Sequence, residues 1–422
     1  MKRLKQTLIG AAAMAIPLAS LAAPTVYIPL GPANEILIVD AKKDKVIGKI
    51  KGVINPHGLS ATTDGKYLVA GSNTERMAGQ GKKSGMSKPS GMSKPSGMSK
   101  PSGMSKPSGM PAMPKPPGMS DATHKSHHPQ QGGGASGMMG GQTKTPAKPA
   151  KSSMMAKPAG MSEADHKKHH APQAGGLPPA VGISDISLIR VSDNKVEKRI
   201  KVRGMAHHIL ATPDGKYAVA THTTAGTITL IDLARKKIFR TIHTGPLPNY
   251  VAVTRDSKRM YVSNAGNNTI SVIDTKNWIV SKNIIVGKGP EHIVMSPDEK
   301  FIYTSNGRAG TISVVSLDQQ KVVKTFKVGN NPHGVDISAD GNTLFASAKK
   351  DNKLVAIDVK TGKVRSLKLN PAPYHVKVIG NTGKIYVSSR KKPFVWVVDA
   401  KKFKIKGKIP VRGPGHQMVV MN

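Results

Sequence analysis

Seven histidines recur at matching points along this chain, each shortly before a short apolar run. His207, His333 and His375 are separated by multiples of 42 residues, and the other four occupy the same part of the repeat. Imidazole nitrogens bind transition metals and haem iron and transfer protons near neutral pH, so a gathering of them could do any of these. The seven histidines are His57, His207, His208, His292, His333, His375 and His416.

The histidines fall into two neighbouring registers, which limits how many can meet. His57, His207 and His333 share one position of the repeat, and the others sit one residue later. Neighbouring residues of a strand point to opposite sides, so we expect three or four imidazoles to converge on a metal or haem site. The alternative is that they are buried between repeats with satisfied hydrogen bonds. Asn249-Tyr250 replaces histidine in one repeat, which excludes a symmetric ring.

A second set of candidate ligands lies between residues 74 and 181, in Ser-Gly-Met-Ser-Lys-Pro repeats and two His-x-x-His-His copies. Thioether sulfur suits Cu(I), whereas imidazole suits Cu(II), Zn(II) and Ni(II), so the mixture favours copper or another soft metal. The alternative is a plain spacer, because the repeated lysines would repel a cation. The candidate ligands are Met86, Met92, Met98, Met104, Met110, Met119, Met161, His124, His127, His128, His166, His169 and His170.

Residues 74–181 also differ from the rest of the chain in composition. They are rich in Gly, Pro, Ser, Lys and Met and contain no aromatic residue, which predicts a disordered insert. The strand-like runs Tyr67–Ser72 and Ile186–Val191 flank it, so it should extend a loop between the second and third strands of one repeat. The end of a second strand lies beside the start of the first, so the insert and the histidines should share a face.

Each repeat contains four strand-like runs separated by turn residues. Asp-Gly turns such as Asp214-Gly215 predict hairpins, and four strands per 42 residues is typical of a propeller blade. Seven sets of strands predict an all-β, seven-bladed propeller formed by residues 24–73 and 182–422. Because the chain starts with a second strand (Val26–Leu30) and finishes with a first strand (Gln417–Met421), these two should pair and close the ring.

The order of Pro332-His333-Gly334, Tyr261-Val262-Ser263-Asn264 and Ile270–Asp274 resembles the YVTN-type β-propeller repeats of exported bacterial proteins. The resemblance covers nearly everything outside residues 74–181 and implies a WD40-like propeller, usually non-enzymatic or of unknown activity. Related propellers bind haem d1 in cytochrome cd1 nitrite reductase and a copper cluster in nitrous oxide reductase. This chain lacks a Cys-x-x-Cys-His site and any cysteine, so neither full activity is expected.

The first 23 residues indicate export. Lys2, Arg3 and Lys5 precede a short apolar run, and cleavage is expected near Ala22/Ala23, which predicts a soluble periplasmic protein with no membrane-spanning segment after cleavage. The absence of cysteine excludes disulfides and thiolate metal sites. A formal net charge of +40 favours anionic partners, such as envelope polymers or, without any supporting motif, nucleic acid. We expect a monomer.

Three functions remain open at this stage. The leading hypothesis is a periplasmic propeller that binds or buffers copper through the insert, with the seven propeller histidines as a second site. The alternatives are a non-catalytic scaffold for a protein or an anionic envelope polymer, and a redox subunit holding haem d1 or a metal cluster. Catalytic motifs are absent, and Glu291 beside His292 is the one candidate acid–base pair.

Overall fold

The computed structural model describes residues 24–77 and 181–421. These residues form seven four-stranded antiparallel sheets, which confirms the predicted seven-bladed β-propeller. We number the blades 1 to 7 along the chain. Within each blade the strands run in sequence order from the central channel to the rim, and blade 1 takes its innermost strand from the C-terminal part of the chain.

The first three blades contain the strands nearest the predicted insert. Blade 1 consists of β28 (Val419–Met421), β1 (Thr25–Leu30), β2 (Glu35–Asp40) and β3 (Lys45–Lys51). Blade 2 consists of β4 (Pro56–Ala61), β5 (Tyr67–Ser72), β6 (Ile183–Arg190) and β7 (Lys195–Arg203). Blade 3 consists of β8 (Ala206–Ala211), β9 (Tyr217–His222), β10 (Thr227–Asp232) and β11 (Lys237–His243).

Blades 4 to 7 repeat the same unit. Blade 4 consists of β12 (Pro248–Val253), β13 (Arg259–Asn264), β14 (Thr269–Asp274) and β15 (Ile279–Ile285). Blade 5 consists of β16 (Pro290–Met295), β17 (Phe301–Asn306), β18 (Thr311–Ser316) and β19 (Lys321–Lys327). Blade 6 consists of β20 (Pro332–Ile337), β21 (Thr343–Ala348), β22 (Lys353–Asp358) and β23 (Val364–Lys368). Blade 7 consists of β24 (Pro373–Ile379), β25 (Lys384–Ser389), β26 (Phe394–Asp399) and β27 (Lys404–Pro410).

Short 3-10 turns at Gly31–Ala33 and Gly380–Thr382 are the helical elements of the described residues. Within residues 24–77 and 181–421, no helix has the length and hydrophobicity needed to cross a bilayer. The second and third strands of each blade are buried on both faces, whereas the fourth strand is mostly exposed, as in β19. The sheets therefore pack face to face with their neighbours, and only the outermost strand of each sheet is exposed.

Seven apolar clusters hold the ring together, one at each contact between neighbouring blades. Tyr303 of blade 5, for example, packs with Val335 and Leu344 of blade 6, and Trp396 of blade 7 packs with Phe345 of blade 6. Since each blade contributes apolar side chains to both of its neighbours, stability is spread round the ring and no blade has a core of its own.

The ring closes where β28 pairs with β1, with Tyr27 opposite Val419 and Thr25 opposite Met421. This confirms the predicted closure by the C-terminal strand. The strand is shorter than predicted, because it starts at Val419 rather than at Gln417. Gln417 instead donates its backbone N–H to the His57 carbonyl of blade 2, at 3.3 Å.

Candidate metal centre

A β-bulge opens the innermost strand of each of blades 2 to 7. In blade 2, Pro56 pairs with Ser72 and Leu59 pairs with Ala70, so two residues of β4 stand opposite a single residue of β5. The same register shift occurs in the other five blades. A bulge interrupts the strict alternation of side chains, and here it turns the second and third residues of each innermost strand toward the channel.

In blades 3 to 7, a hydroxyl group of the second strand holds the bulge. The hydroxyl of Ser305 accepts the backbone N–H of His292 at 3.2 Å and donates to the His333 carbonyl of the next blade at 2.5 Å. Thr221 does the same between His208 and Asn249. The third residue of the Tyr-Val-Ser-Asn motif therefore provides a hydrogen-bond partner both for the N–H group of the bulge and for a carbonyl of the next blade.

The second and third residues of the innermost strands form two layers at this end of the channel, which we call the histidine end. The upper layer consists of His57, His207, Asn249, Glu291, His333 and Tyr374. The lower layer consists of Gly58, His208, Tyr250, His292, Gly334 and His375. Blade 1 contributes His416, which precedes β28 and donates its backbone N–H to Pro29.

All seven histidines meet at the histidine end. Imidazole centroids of neighbours in the group lie 4.1–5.9 Å apart, as in the pairs His57–His416 and His57–His375. Rings from non-adjacent blades also touch, since His208 of blade 3 lies 4.9 Å from His292 of blade 5. More rings are in contact than the three or four that strand alternation predicted, because the bulges remove that alternation. We refer to the seven side chains as the histidine cluster.

Three overlapping triads within the cluster have the spacing of metal ligands. In each triad the candidate ligand atoms lie within 4.8 Å of one another. Any two triads share one histidine, so His57, His208 and His375 each belong to two of them. The triads are His57–His207–His208, His57–His375–His416 and His208–His292–His375.

Backbone contacts fix the tautomers of two shared histidines. His57 Nδ1 lies 3.1 Å from the His207 carbonyl and His208 Nδ1 lies 2.8 Å from the Asn249 carbonyl. A carbonyl can only accept, so both Nδ1 atoms carry the proton and both Nε2 atoms present a lone pair. An Nδ1–H bonded to a backbone carbonyl with a free Nε2 is the usual arrangement of a metal-binding histidine.

Several buried imidazole nitrogens in the cluster have no hydrogen-bond partner, which argues against the alternative of satisfied inter-blade histidines. An unpartnered buried polar atom is costly, and a bound metal ion would remove that cost. The atoms concerned are Nε2 of His208, His292, His333 and His375, and Nδ1 of His207 and His416.

The cluster is uncharged at neutral pH. Burial lowers the pKa of His207 to about 4 and that of His416 to about 3. Burial also holds the pKa of the remaining five well below 6.5, and neighbouring imidazoles add to the effect in each of them. These five are His57, His208, His292, His333 and His375. Neutral imidazole is the form that binds metal, so no proton has to be displaced at pH 7.

A carboxylate of the upper layer, that of Glu291, lies against the cluster. Glu291 Oε2 lies 3.5 Å from His333 Nδ1 and accepts a hydrogen bond from the Asn249 amide. Glu291, a candidate acid–base partner of its neighbour His292 in the sequence, lies against His333 of the next blade. The rings of His292 and His375 lie 4.6 and 5.1 Å from that of His333.

Positive charge lies outside the upper layer. Lys349 Nζ and the Arg390 guanidinium stand 5.4 and 5.3 Å from the ring centre of Tyr374, which itself stacks on His333 at 4.1 Å. Burial lowers the pKa of Lys349. A cation entering from this side meets two cationic groups and one carboxylate.

Gln417 crosses the channel beside the lower layer. Its Oε1 accepts the backbone N–H groups of Leu59 and Ile209 at 3.2 and 3.3 Å, and its Nε2 donates to the Ile209 carbonyl at 2.8 Å. These bonds tie the chain segment before β28 to blades 2 and 3. Sequence reasoning missed this residue, since no motif marks a glutamine that bonds across blades.

Beyond the lower layer the channel widens into a cavity of about 390 Å³, which we call the cavity end. His292 and His375 line it together with Tyr250 and Gln417. Beyond the bulge, the side chains of each innermost strand again point alternately into and away from the channel. The fifth residue of each of these strands in blades 2 to 7 therefore also lines the cavity. These residues are Ser60, Leu210, Ala252, Val294, Asp336 and Lys377.

The predicted insert joins blade 2 at the histidine end. The backbones of Arg76 and Ile183 form an isolated antiparallel bridge, with N–H to carbonyl distances of 2.9 and 2.8 Å, and Asn73 donates to Asn55 just before β4. The candidate ligands of the insert lie outside the described residues: Met86, Met92, Met98, Met104, Met110, Met119, Met161, His124, His127, His128, His166, His169 and His170.

Comparison with known proteins supports the fold. Residues 231–384 match a family model described as YNCE-like beta-propeller. No curated protein matches the chain significantly by sequence.

Solved structures resemble the chain at low identity. A hydrazine synthase chain of Kuenenia stuttgartiensis matches with a TM-score of 0.50 and 19% identity, over 55% of this chain and 81% of that one. A periplasmic gluconolactonase of Pseudomonas aeruginosa matches with a TM-score of 0.59 and 12% identity, over 94% of this chain and 99% of that one. A candidate 6-phosphogluconolactonase of Bacteroides uniformis matches with a TM-score of 0.62 and 11% identity, over 95% of this chain and 100% of that one. The chain is thus a seven-bladed β-propeller that resembles, over residues 231–384, the YNCE-like β-propellers.

Proposed function

We propose that this protein is an exported, periplasmic metal-binding propeller whose histidine cluster holds a transition-metal ion, with copper as the first choice. The observation that carries the proposal is the convergence of seven neutral imidazoles, six of which have a buried ring nitrogen without a hydrogen-bond partner. Imidazole triads suit copper, zinc and nickel, and the methionine-rich composition of residues 74–181 shifts the choice toward copper. The insert would serve as a weaker site that collects the ion.

The shared histidines limit how many ions the cluster can hold. His57 and His208 each offer only Nε2, because Nδ1 donates to a backbone carbonyl. The triad His57–His207–His208 therefore cannot be filled together with either of the other two. We expect one tightly held ion per chain in the propeller.

Metal analysis of three full-length chains tests the proposal. The native chain, a His57→Asn/His208→Asn/His375→Asn variant and a variant with the six insert histidines replaced by serine are loaded with copper and dialysed against a chelator. We expect one retained ion in the native chain and in the insert variant, and none in the cluster variant. Copper lost from all three chains would refute the proposal.

Matched controls separate ligand loss from damage to the fold. His222→Asn replaces a fully buried histidine outside the cluster by the residue that stands at this position in blades 4 and 5, as Asn264 and Asn306. His243→Asn replaces an exposed histidine at the end of β11. Both variants should retain the ion, and the circular dichroism of all variants should match that of the native chain.

The haem d1 alternative gains no support from the cluster. The imidazole rings lie in contact, with centroids 4.1–5.9 Å apart, and a planar macrocycle needs a gap between its axial ligands.

A second candidate function, binding to an anionic envelope polymer, rests on the rim. The outermost strands expose lysines, as with Lys321, Lys324 and Lys327 of β19, so the perimeter presents repeated positive charge. Such contacts weaken with salt because exposed charges are screened. Binding to lipopolysaccharide that falls steeply from 50 to 200 mM salt and is unchanged in the cluster variant would support this function. Binding that is insensitive to salt would contradict it.

A further inference from the structure

We infer that a small anionic ligand with an oxygen or nitrogen donor, such as a carboxylate, enters the cavity end and completes the coordination of the metal ion. This inference rests on the proposed function and names the ligand class that the site would accept. It follows from the geometry of the lower triad, the charge around the cluster and the lining of the cavity.

The lower triad, His208–His292–His375, lies nearest the cavity. Its members are the third residues of their strands, and His292 and His375 also line the cavity wall. On the opposite side the upper layer packs against it, with His57 5.1 Å from His208 and His333 4.6 Å from His292. Three protein ligands leave a tetrahedral ion one open position, and the free space lies on the cavity side.

The charge around the cluster favours an anion in that position. Glu291 lies against His333, and Asp336 of the cavity wall is already paired with Lys377, so a divalent ion would keep an uncompensated positive charge in a buried site. Lys349 and Arg390 add positive charge at the histidine end. A buried net charge is costly unless it is paired, and an anion bound to the metal supplies the pair.

The cavity has the size and lining of a small-ligand site. Its volume of about 390 Å³ falls within the usual range for pockets that bind small molecules. Leu210, Ala252 and Val294 give it an apolar wall. Tyr250, Ser60 and Lys377 supply polar groups on the same wall.

Lys377 is the second anchor for an anion. Its Nζ pairs with Asp336 Oδ2 at 3.1 Å, and Asp336 also accepts the N–H of Val378 at 2.8 Å. Asp336 is thus held by the protein, while the ammonium group of Lys377 has two further hydrogens to donate and its side chain is 37% exposed. A carboxylate could bind the metal with one oxygen and Lys377 with the other.

Azide and acetate binding to the Cu(II)-loaded full-length chain tests the inference. We expect azide to produce a saturable charge-transfer band with one azide per copper, and acetate to compete with it. Leu210→Trp fills the cavity without removing a ligand and should weaken azide at least tenfold while one copper is retained. Ile279→Trp, on the exposed β15 edge, should leave azide binding unchanged.

A second variant keeps the test valid if Leu210→Trp fails to fold. Lys377→Gln should weaken acetate several-fold and azide less, because acetate alone spans both anchors. A copper-loaded chain whose absorption is unaltered by azide would overturn the inference while leaving the proposed function intact. So would equal azide affinity in the Leu210→Trp and Ile279→Trp chains. Failure of the native chain to retain copper would instead refute both.

Discussion

The two ends of the central channel are built from the same six strands yet have opposite character. At the histidine end, one extra residue per strand turns two successive side chains inward, and the result is a packed group of imidazoles. At the cavity end, alternation is regular, one side chain per strand faces inward, and a cavity remains. A local bulge, repeated in six of the seven blades, therefore doubles the number of side chains available to a site without changing the fold.

The largest expected effect is a loss of stability of the metal-free chain as the pH falls, and it originates at the histidine end. The folded-state pKa of each cluster histidine is depressed by burial, to about 4 for His207 and about 3 for His416. The unfolded chain therefore takes up protons first as the pH falls below 6.5, and the free energy of unfolding declines from there toward pH 4. Each buried imidazole contributes a slope of up to about 1.4 kcal/mol per pH unit.

Thermal melts between pH 4.5 and 7.5 measure this decline, and a His416→Gln variant should show a shallower slope. The exposed His243→Gln is its control. Carboxylates such as Asp64, whose pKa is lowered by hydrogen bonds, lose their contribution to the free energy of unfolding at a lower pH than the histidines do. A melting temperature independent of pH from 4.5 to 6.5 would mean that the imidazoles are not buried as described.

The next largest effect concerns the space left by the two glycines of the lower layer. A Cβ on Gly58 would lie 2.6 Å from the His207 carbonyl oxygen and 2.7 Å from the His208 Cα, so Gly58→Ala pushes blades 2 and 3 apart. We expect a loss of about 3 kcal/mol in the free energy of unfolding, measured by chemical denaturation. Gly407→Ala, with nothing within 4 Å on β27, should cost less than about 1 kcal/mol. Equal losses would show that the blades do not approach closely at the histidine end.

A smaller effect should follow from removing a hydroxyl that holds a bulge. Ser305→Ala leaves the N–H of His292 and the carbonyl of His333 without partners, which should cost about 2 kcal/mol and loosen the cluster. Chemical denaturation gives the stability, and copper retention gives the effect on the cluster. Ser366→Ala, on the exposed β23, is the control. An unchanged stability would indicate that the bulge is held by the strand pairing alone.

The smallest effect should come from the carboxylate of the upper layer. Glu291→Gln keeps the size of the side chain but removes the charge that faces His333, so copper affinity should fall about tenfold while stability changes little. Competition with a chelator of known affinity measures the change. Glu299→Gln, in a surface turn, should leave the affinity unchanged. If Glu291→Gln binds copper as tightly as the native chain, the carboxylate has no role in the site.

Sequence patterns predicted the blades well because their causes are local. The turn at Asp214-Gly215 and the alternation of Tyr261–Asn264 depend on neighbouring residues. The structure has a turn at the first, between β8 and β9, and strand β13 at the second. The histidines at the start of β4 and β8 were also found from their spacing.

What the sequence could not predict depends on contacts between distant segments. The bulge that gathers the imidazoles depends on hydroxyls such as Ser305, whose partners belong to the next blade. The pairing of Glu291 with His333, and not with His292, is a contact across two blades. The hydroxyl that precedes the final Asn of the Tyr-Val-Ser-Asn motif is the signal that would have pointed to the bulge.

The position of Gln417 in the sequence has a consequence for how the protein matures. Its side chain bonds to Leu59, 358 residues earlier, and to Ile209, 208 residues earlier, while the adjacent His416 completes one triad. A chain emerging from the ribosome exposes His57 long before residue 417 arrives, so the His57–His375–His416 triad and the bonds to Leu59 and Ile209 form only once synthesis has reached this segment. The histidine cluster is therefore complete only after residue 417 is in place.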